Sequence, residues 1–554
     1  MNRGTASLPA AIRTHGRLGF LGWLSLLLAA ALTLPILAVA ASVFQPAGDA
    51  WRHIASTLLA NYVWNTALLL VMVAYGVISI GVLSAWLVTA YRFPGQGILE
   101  WALVLPLAVP AYVMAYAYTD WLQFTGPVQS ALRAATGWQA NEYWFPEVRS
   151  LWGAAAMLSF ALYPYVYLIV RAAFRDLSRS ALEAGRLAGY SAWGAFGRVA
   201  LPLARPAIAA GTALALMETL ADFGTVSYFA LEVFTTGIFK AWFSMGESVA
   251  AGQLSSCLLA FVLIVLLAER ASRGRAAYAS ASRRAAPPLR LRGAGAALAF
   301  AACVAPVVFG FLLPAGILLH LAFTDPEARW GARLALLVGN SFTLAGLTAA
   351  AGVVVATAMA YAARLTRSGT VAAANRIAGL GYAIPGAVIA VGVLVPLGRL
   401  DNWLAAWLER ALGIEMGLLF TGTATALVYA YLVRYLAVAL QTIEAGLAKV
   451  TPSMEDAARS LGATPAATLA RVHAPLLASS LATAALLMFV DVLKELPATF
   501  ALRPFNLDTL AVEAYNLAKD ERLAEAAVPS LVIVAVSLVP LLAVSRRYFQ
   551  ATRS

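Results

Sequence analysis

Charge is what this sequence has least of. Only 12% of its 554 residues are Asp, Glu, Lys or Arg, while 61% are hydrophobic. A soluble domain carries about twice that share of charge. Cysteine is nearly absent: Cys257 and Cys303 both lie inside apolar runs. That excludes a disulfide framework and any zinc-ligand spacing, and the two read as small core residues. The four histidines, His15, His53, His320 and His473, are scattered, so no metal centre is expected from them. Lysine occurs only at 240, 449, 494 and 519, preceded by Phe239, Ala448, Leu493 and Ala518. A P-loop needs Gly immediately before its Lys, so ATP hydrolysis by that route is excluded. No nucleophile, base and acid stand together, so the chain does not read as an enzyme.

What the sequence has instead is length of apolar run. Mean hydropathy is +0.78, and stretches long enough to cross a bilayer as helices recur throughout. An all-α polytopic membrane protein with about twelve spans is predicted. They fall near 19–44, 62–90, 99–119, 149–171, 206–230, 250–268, 295–322, 338–363, 376–398, 416–440, 477–500 and 526–545. The first resembles a signal peptide at Ala38-Val39-Ala40, but its apolar stretch is too long, so it reads as an uncleaved helix. The net charge of +12 does not point to nucleic acid, because the basic residues fall in short connections. With the N-terminus inside, most of them, including Arg171, Arg175, Arg198, Arg364, Arg434 and Arg471, fall on the inner side. The positive-inside rule then places both termini in the cytoplasm.

The stretch 269–294, rich in Arg, Ala and Ser with Pro287-Pro288, reads as a linker. It divides the chain into halves 1–268 and 295–554. Six spans per half give both halves the same orientation, a parallel repeat about an axis along the membrane normal. An offset of 273 places Ser180 on Ser453, Glu183 on Asp456, Arg186 on Arg459, Gly189 on Gly462, Arg198 on Arg471 and Pro202 on Pro475. It also places Glu218 on Asp491 and Asp222 on Glu495. Nearer the start of each half the offset is 275, with Asn65 on Asn340 and Pro110 on Pro385.

The repeated matches cluster in two long inner loops, 176–202 and 449–475. Ser180-Ala-Leu-Glu183 has capping-box form, and Ser453-Met-Glu-Asp456 repeats it with a shorter acid. A helix from there is predicted to stop at Gly189 or Gly462 in a left-handed cap. A second short helix is predicted from Ser191 or Thr464-Pro465, ending before Pro202 or Pro475. Two short helices in a bent unit make a compact knob.

These residues resemble a known family. Glu183-Ala184-Gly185, Gly189 and Val199-Ala200-Leu201-Pro202 are similar to the EAA loop of ABC-importer permeases. Asp456-Ala457-Ala458, Gly462 and Val472-His473-Ala474-Pro475 form a second copy. The departures are Gly185, Asp456 and Ala474. The resemblance implies a type I importer permease in which both loops, with Arg186 and Arg459, dock an ABC ATPase subunit. ATP and Mg would then be bound by two copies of that partner, with no cofactor on this chain. It implies a periplasmic solute-binding protein on the outer face and an inner-membrane location. Lys494-Glu495-Leu496-Pro497-Ala498-Thr499 and the segment Leu502–Ala511 narrow the likeness to the ferric-iron importer permeases. Permeases for thiamine or inorganic anions share the architecture, and a secondary transporter with a six-plus-six repeat is the other class that fits.

The remaining chemistry is a set of intramembrane charges. Glu218 and Asp222 are four apart, as are Asp491 and Glu495, so each pair is expected on one helix face. About twelve to eighteen residues past the loops, at ~1.5 Å each, they reach mid-bilayer. Ionisable groups there usually face a pathway or one another. Carboxylate oxygens suit a hard cation. Two readings stand: a ring of acids around a passage, or a packed network neutralised by Lys494. Leu400, Trp403, Leu404, Trp407, Leu408 and Leu412 form a stripe that predicts an amphipathic helix on the outer surface. Tyr112, Tyr116 and Tyr118 are expected to anchor at the interface.

Overall fold

The computed structural model describes residues 19–46, 48–176, 189, 191–273, 289–328, 330–413, 415 and 417–553. Among them, ten helices are long and apolar enough to cross a membrane, and two further helix pairs qualify if each bent pair is one span. Helices suit such a chain because each backbone polar group is satisfied within its own segment. The only strands among the described residues are Tyr91–Arg92 and Leu289–Arg290, which pair in parallel.

The bent pairs are where apolar patterning alone misleads. Gln96–Ala108 and Ala111–Thr136 meet at 92°, and Trp193–Leu203 and Arg205–Ala221 at 70°. In the first pair Pro110 supplies no N–H and holds an extended backbone at the corner. Pro385 does the same ahead of Gly386–Leu412. The ninth span therefore runs over Gly386–Leu412 and not 376–398, where Gly369–Ala378 forms a separate short helix. The stripe of Leu400, Trp403 and Trp407 is likewise not a separate surface helix but the end of this span. Asp401 is why the chain turns back where it does. Its buried carboxylate accepts the backbone N–H groups of Leu419, Phe420 and Thr421, the last at 2.7 Å.

Two central helices stop short. Arg205–Ala221 ends before Asp222, and Ala474–Leu493 before Lys494 and Glu495. Each is followed by a break and a short helix, Gly224–Tyr228 or Pro497–Leu502. The fifth and eleventh spans are thus broken, not continuous to 230 and 500 as periodicity predicts.

Packing crosses between the ends of the chain. The helix Phe20–Ala41 lies against Ala332–Thr366, Gly369–Ala378 and Gly386–Leu412. Ser25 donates to Asn375 Oδ1 at 2.8 Å, and a Cβ on Gly392 would sit 2.4 Å from the Pro35 carbonyl oxygen. Reciprocally, Gly293–Val307 packs on Leu59–Ala90, and Leu313–Thr324 on Ala111–Leu122. Tyr118 donates to the Phe309 carbonyl at 2.6 Å, and a Cβ on Gly310 would meet Pro106 at 2.7 Å.

Equivalent positions make equivalent bonds. Asn65 Nδ2 donates to the Glu232 carbonyl at 2.9 Å, and Asn340 Nδ2 to the Asp508 carbonyl at 3.0 Å. Thr66 Oγ1 accepts from Phe234 N, as Ser341 Oγ does from Leu510 N.

Candidate functional site

The two helix breaks face each other across a cavity of about 120 Å³. Glu218, Asp222, Arg434, Lys494 and Glu495 all contribute to its wall. The acids are not equivalent. The Asp222 carboxylate turns back onto its own chain and accepts from Thr225 N at 3.1 Å, Thr225 Oγ1 at 3.0 Å and Val226 N at 3.2 Å. It caps the helix Gly224–Tyr228, whose unpaired N–H groups favour an anion. Glu495 does the same for Pro497–Leu502, accepting from Ala498 N at 2.9 Å and Thr499 N at 2.8 Å. The pairs Glu218/Asp222 and Asp491/Glu495 therefore do not share one helix face: the second member of each lies beyond the helix end.

Two cations from the second half offset the acids. Arg434 Nη1 lies 2.8 Å from Glu495 Oε1 in a buried pair, and Lys494 Nζ lies 3.0 Å from Asp491 Oδ1. Arg434 stands mid-way along Ala424–Leu447, not in an inner loop where the charge count placed it. A Cβ on Gly386 would sit 2.3 Å from Arg434 Nη1 and 2.6 Å from Glu495 Oε1, so glycine makes room for this pair. Glu218 is the exception: among the described residues it has no ion-pair partner within 4 Å. A lone Arg in an apolar helix carried a signal for this pair, since a charge at that depth needs a partner.

Aromatic side chains pack beside the cavity, with Phe223 in its wall. Phe223 stacks on Phe239 at 4.0 Å and contacts Phe500 and Tyr515 at 5.8 and 5.5 Å. Ser227 and Tyr515 share a hydrogen bond of 2.7 Å, which joins the two halves of the chain. Tyr112, Tyr116 and Tyr118 are all buried, so they are core residues and not interfacial anchors. Tyr112 lines the cavity, because Gly224 leaves no Cβ against it.

The two loops form the second candidate site. Glu183, Ala184, Gly185 and Arg186 lie outside the described residues. Gly189 and Gly462 are exposed and take φ of +81° and +80°, the region that favours glycine. Ser191 Oγ accepts from Gly194 N at 3.1 Å, and Thr464 Oγ1 from Ala467 N at 3.2 Å, so both cap the helix that follows. The helix before Gly462 spans Pro452–Ser460 and starts after Thr451, so Ser453 lies inside it and not at its cap. Asp456 and Ala457 are exposed and Ala458 is buried; the side chain of Arg459 lies outside the described residues. Pro475 does not end the second helix. The chain runs on to Leu493 through a wide turn at Leu469–His473, which accommodates the donor that proline lacks. Pro202 likewise lies within the helical turn Leu201–Leu203.

Residues 77–273 match the family described as binding-protein-dependent transport system inner membrane component. Over 207 residues the chain is 31% identical to the molybdenum transport system permease protein ModB of Escherichia coli, covering 35% of this chain and 87% of that one. The chain belongs to this permease family. The permease is also 26% identical over 498 residues to the Fe(3+)-transport system permease protein FbpB 2 of Haemophilus influenzae, across 89% of this chain and 91% of the relative. The sulfate transport system permease protein CysT of Escherichia coli is 29% identical over 206 residues, 35% of this chain and 69% of its own. The permease is thus a multi-pass inner-membrane translocation subunit of an ABC importer with two fused halves, and it has no ATPase site of its own.

Proposed function

We propose that this permease conducts ferric iron, delivered by a periplasmic binding protein and driven by two copies of an ABC ATPase. The observation that carries the reading is Glu218, which among the described residues has no ion-pair partner within 4 Å and lies in the wall of a cavity between the two helix breaks. Asp491 and Glu495 are matched by Lys494 and Arg434, which leaves Glu218 and the capping carboxylate of Asp222 as excess negative charge. Oxygen ligands and negative potential suit a hard cation. The relative named for Fe(3+) transport matches over nearly its whole length, which supports the same cargo.

In this reading the halves 1–268 and 295–554, joined by 269–294, each present one coupling loop to one ATPase, and ATP and Mg belong to that partner. Glu183, Arg186, Gly189 and Pro202 form one docking unit, with Ala184 and Gly185; Asp456, Ala457, Ala458, Arg459, Gly462 and Pro475 form the other. Both termini are cytoplasmic. The binding protein docks on the opposite face.

Radioactive iron uptake by the reconstituted complex tests the cargo. Glu218→Gln should lower it by roughly tenfold, equivalent to ~1.4 kcal/mol, while the protein inserts normally. Unchanged uptake in that variant would remove Glu218 from the pathway. A second reading is favoured by Arg434 and Lys494 in the same wall and by the sulfate and molybdenum relatives: an oxyanion cargo. Uptake of labelled sulfate or molybdate by the wild-type complex, with none of iron, would establish it instead.

A further inference from the structure

The second loop is tied to the helix bundle by a cluster of charges. Glu455, inside the helix Pro452–Ser460, turns inward, and only 13% of its side chain is exposed. Its Oε1 lies 2.5 Å from Arg364 Nε and 3.3 Å from His473 Nε2. Arg364 sits in the last turn of Ala332–Thr366. It also donates to the carbonyl oxygens of Leu447 and Val450, the latter at 2.6 Å. Those carbonyls terminate Ala424–Leu447, where a cation is favoured. His473 is fully buried, edge-on to Tyr361, just ahead of Ala474–Leu493. Four elements therefore meet on one carboxylate and one guanidinium. At the matching positions of the first half stand Thr89, Leu182 and Ala200, none of which is ionisable. There Phe196 is held by packing on Trp86, Phe174 and Trp193.

The clamp touches both helices that build the charged side of the cavity. Ala424–Leu447 carries Arg434 about 13 residues before the carbonyl that Arg364 grips, or ~20 Å along a helix. Ala474–Leu493 ends at Lys494, beside Glu495, the partner of Arg434. A displacement of Pro452–Ser460 is thus delivered to Ala424–Leu447 through the charge-assisted bonds of Arg364, and to Ala474–Leu493 through the close packing of Glu455 on buried His473.

We propose that Arg364, Glu455 and His473 are positioning residues that transmit movement of the second coupling loop to the cavity. The second loop would then couple to its ATPase through this charged cluster. This rests on the reading that the loops dock the ATPase.

The test uses the full complex of permease, ATPase and binding protein in proteoliposomes, with iron as the probe. Stimulated ATP hydrolysis, iron moved per ATP, and ATPase retained on purification are measured together. Arg364→Gln and Glu455→Ala should cut iron moved per ATP by roughly tenfold, the scale of removing one charge-assisted hydrogen bond, with the ATPase still bound. Arg364→Lys and Glu455→Gln should restore part of it, since each keeps a donor or acceptor in place. Trp86→Leu, which thins the other anchor, should not follow this rescue pattern. Wild-type transport per ATP in both Arg364→Gln and Glu455→Ala overturns the clamp. So does a proportional fall of hydrolysis, uptake and assembly, which is what loss of folding alone would give. Gly462→Val separates the two ideas: if it impairs coupling while the clamp variants do not, the clamp alone fails; if it too is silent, docking at this loop fails.

Discussion

Gly189 and Gly462 show how little structure a critical residue needs around it. Among the described residues neither has an atom within 4 Å of where a Cβ would stand, so space does not demand glycine there. Backbone angle does, because a left-handed φ costs an L-residue about 1–2 kcal/mol, and a β-branched one more. Gly189→Val and Gly462→Val should therefore insert and fold, yet redirect the chain at each turn. Stimulation of ATPase activity by the loaded binding protein should drop several-fold in each, and normal stimulation in both would disprove the docking role. The Arg434–Glu495 pair belongs to the opposite class. It is buried, its Glu495 side accepts further backbone hydrogen bonds, and Gly386 makes room for it. Removing one partner of such a pair strands the other charge, at about 3–5 kcal/mol. Neutralising Asp491 and Glu495 together would disturb folding as well as conduction, whereas Glu218 can be neutralised without stranding a partner.

Among the elements, the breaks matter more than the helices. Each broken span places a carboxylate where the chain leaves one helix and starts the next, so the cap and the cavity wall are made by one residue. Asp401 performs a similar service away from the cavity, at the turn that follows Gly386–Leu412. It holds three backbone N–H groups, and a buried donor left unmet costs about 1–3 kcal/mol. Asp401→Ala should lower the melting temperature of the purified permease markedly, while Glu409→Ala, on the exposed side of the same helix, should leave it nearly unchanged. Equal melting temperatures would show that the 419–421 turn is held by something else. The long apolar runs were legible because hydrophobicity marks a span whatever its neighbours do. Their ends were not. At Asp222 and Glu495 the residues beyond the break, Thr225 and Thr499, compete for the carboxylate, and only folded geometry shows that they win.

For the whole molecule, the first span of each half packs against the other half, so the two bundles interlock instead of merely touching. Ser25 on Asn375 and Tyr118 on Phe309 are the contacts that hold this exchange. The proposed topology puts both loops and both termini on one face. Reporter fusions at 190 and 463 should both read as cytoplasmic, and a fusion near 505, where Phe505 is fully exposed, as periplasmic. An external signal at 190 or 463 would invert the assignment. Moving Arg434 from loop to core takes one charge from the inner side, but the clusters at 171–205 and 270–292 still carry the bias.

The sequence by itself determined the membrane setting, the approximate number of spans, the repeat and the left-handed turns at Gly189 and Gly462. Each of these follows from local composition or from a backbone preference that acts over a few residues. Tertiary structure alone decided that Tyr112, Tyr116 and Tyr118 are buried, that Arg434 faces Glu495, and that Glu455 rather than Asp456 turns toward Arg364. Those outcomes depend on which helix faces which. A charge buried at membrane depth is settled by the partner that folding brings within about 3 Å, and nothing in the local sequence names that partner.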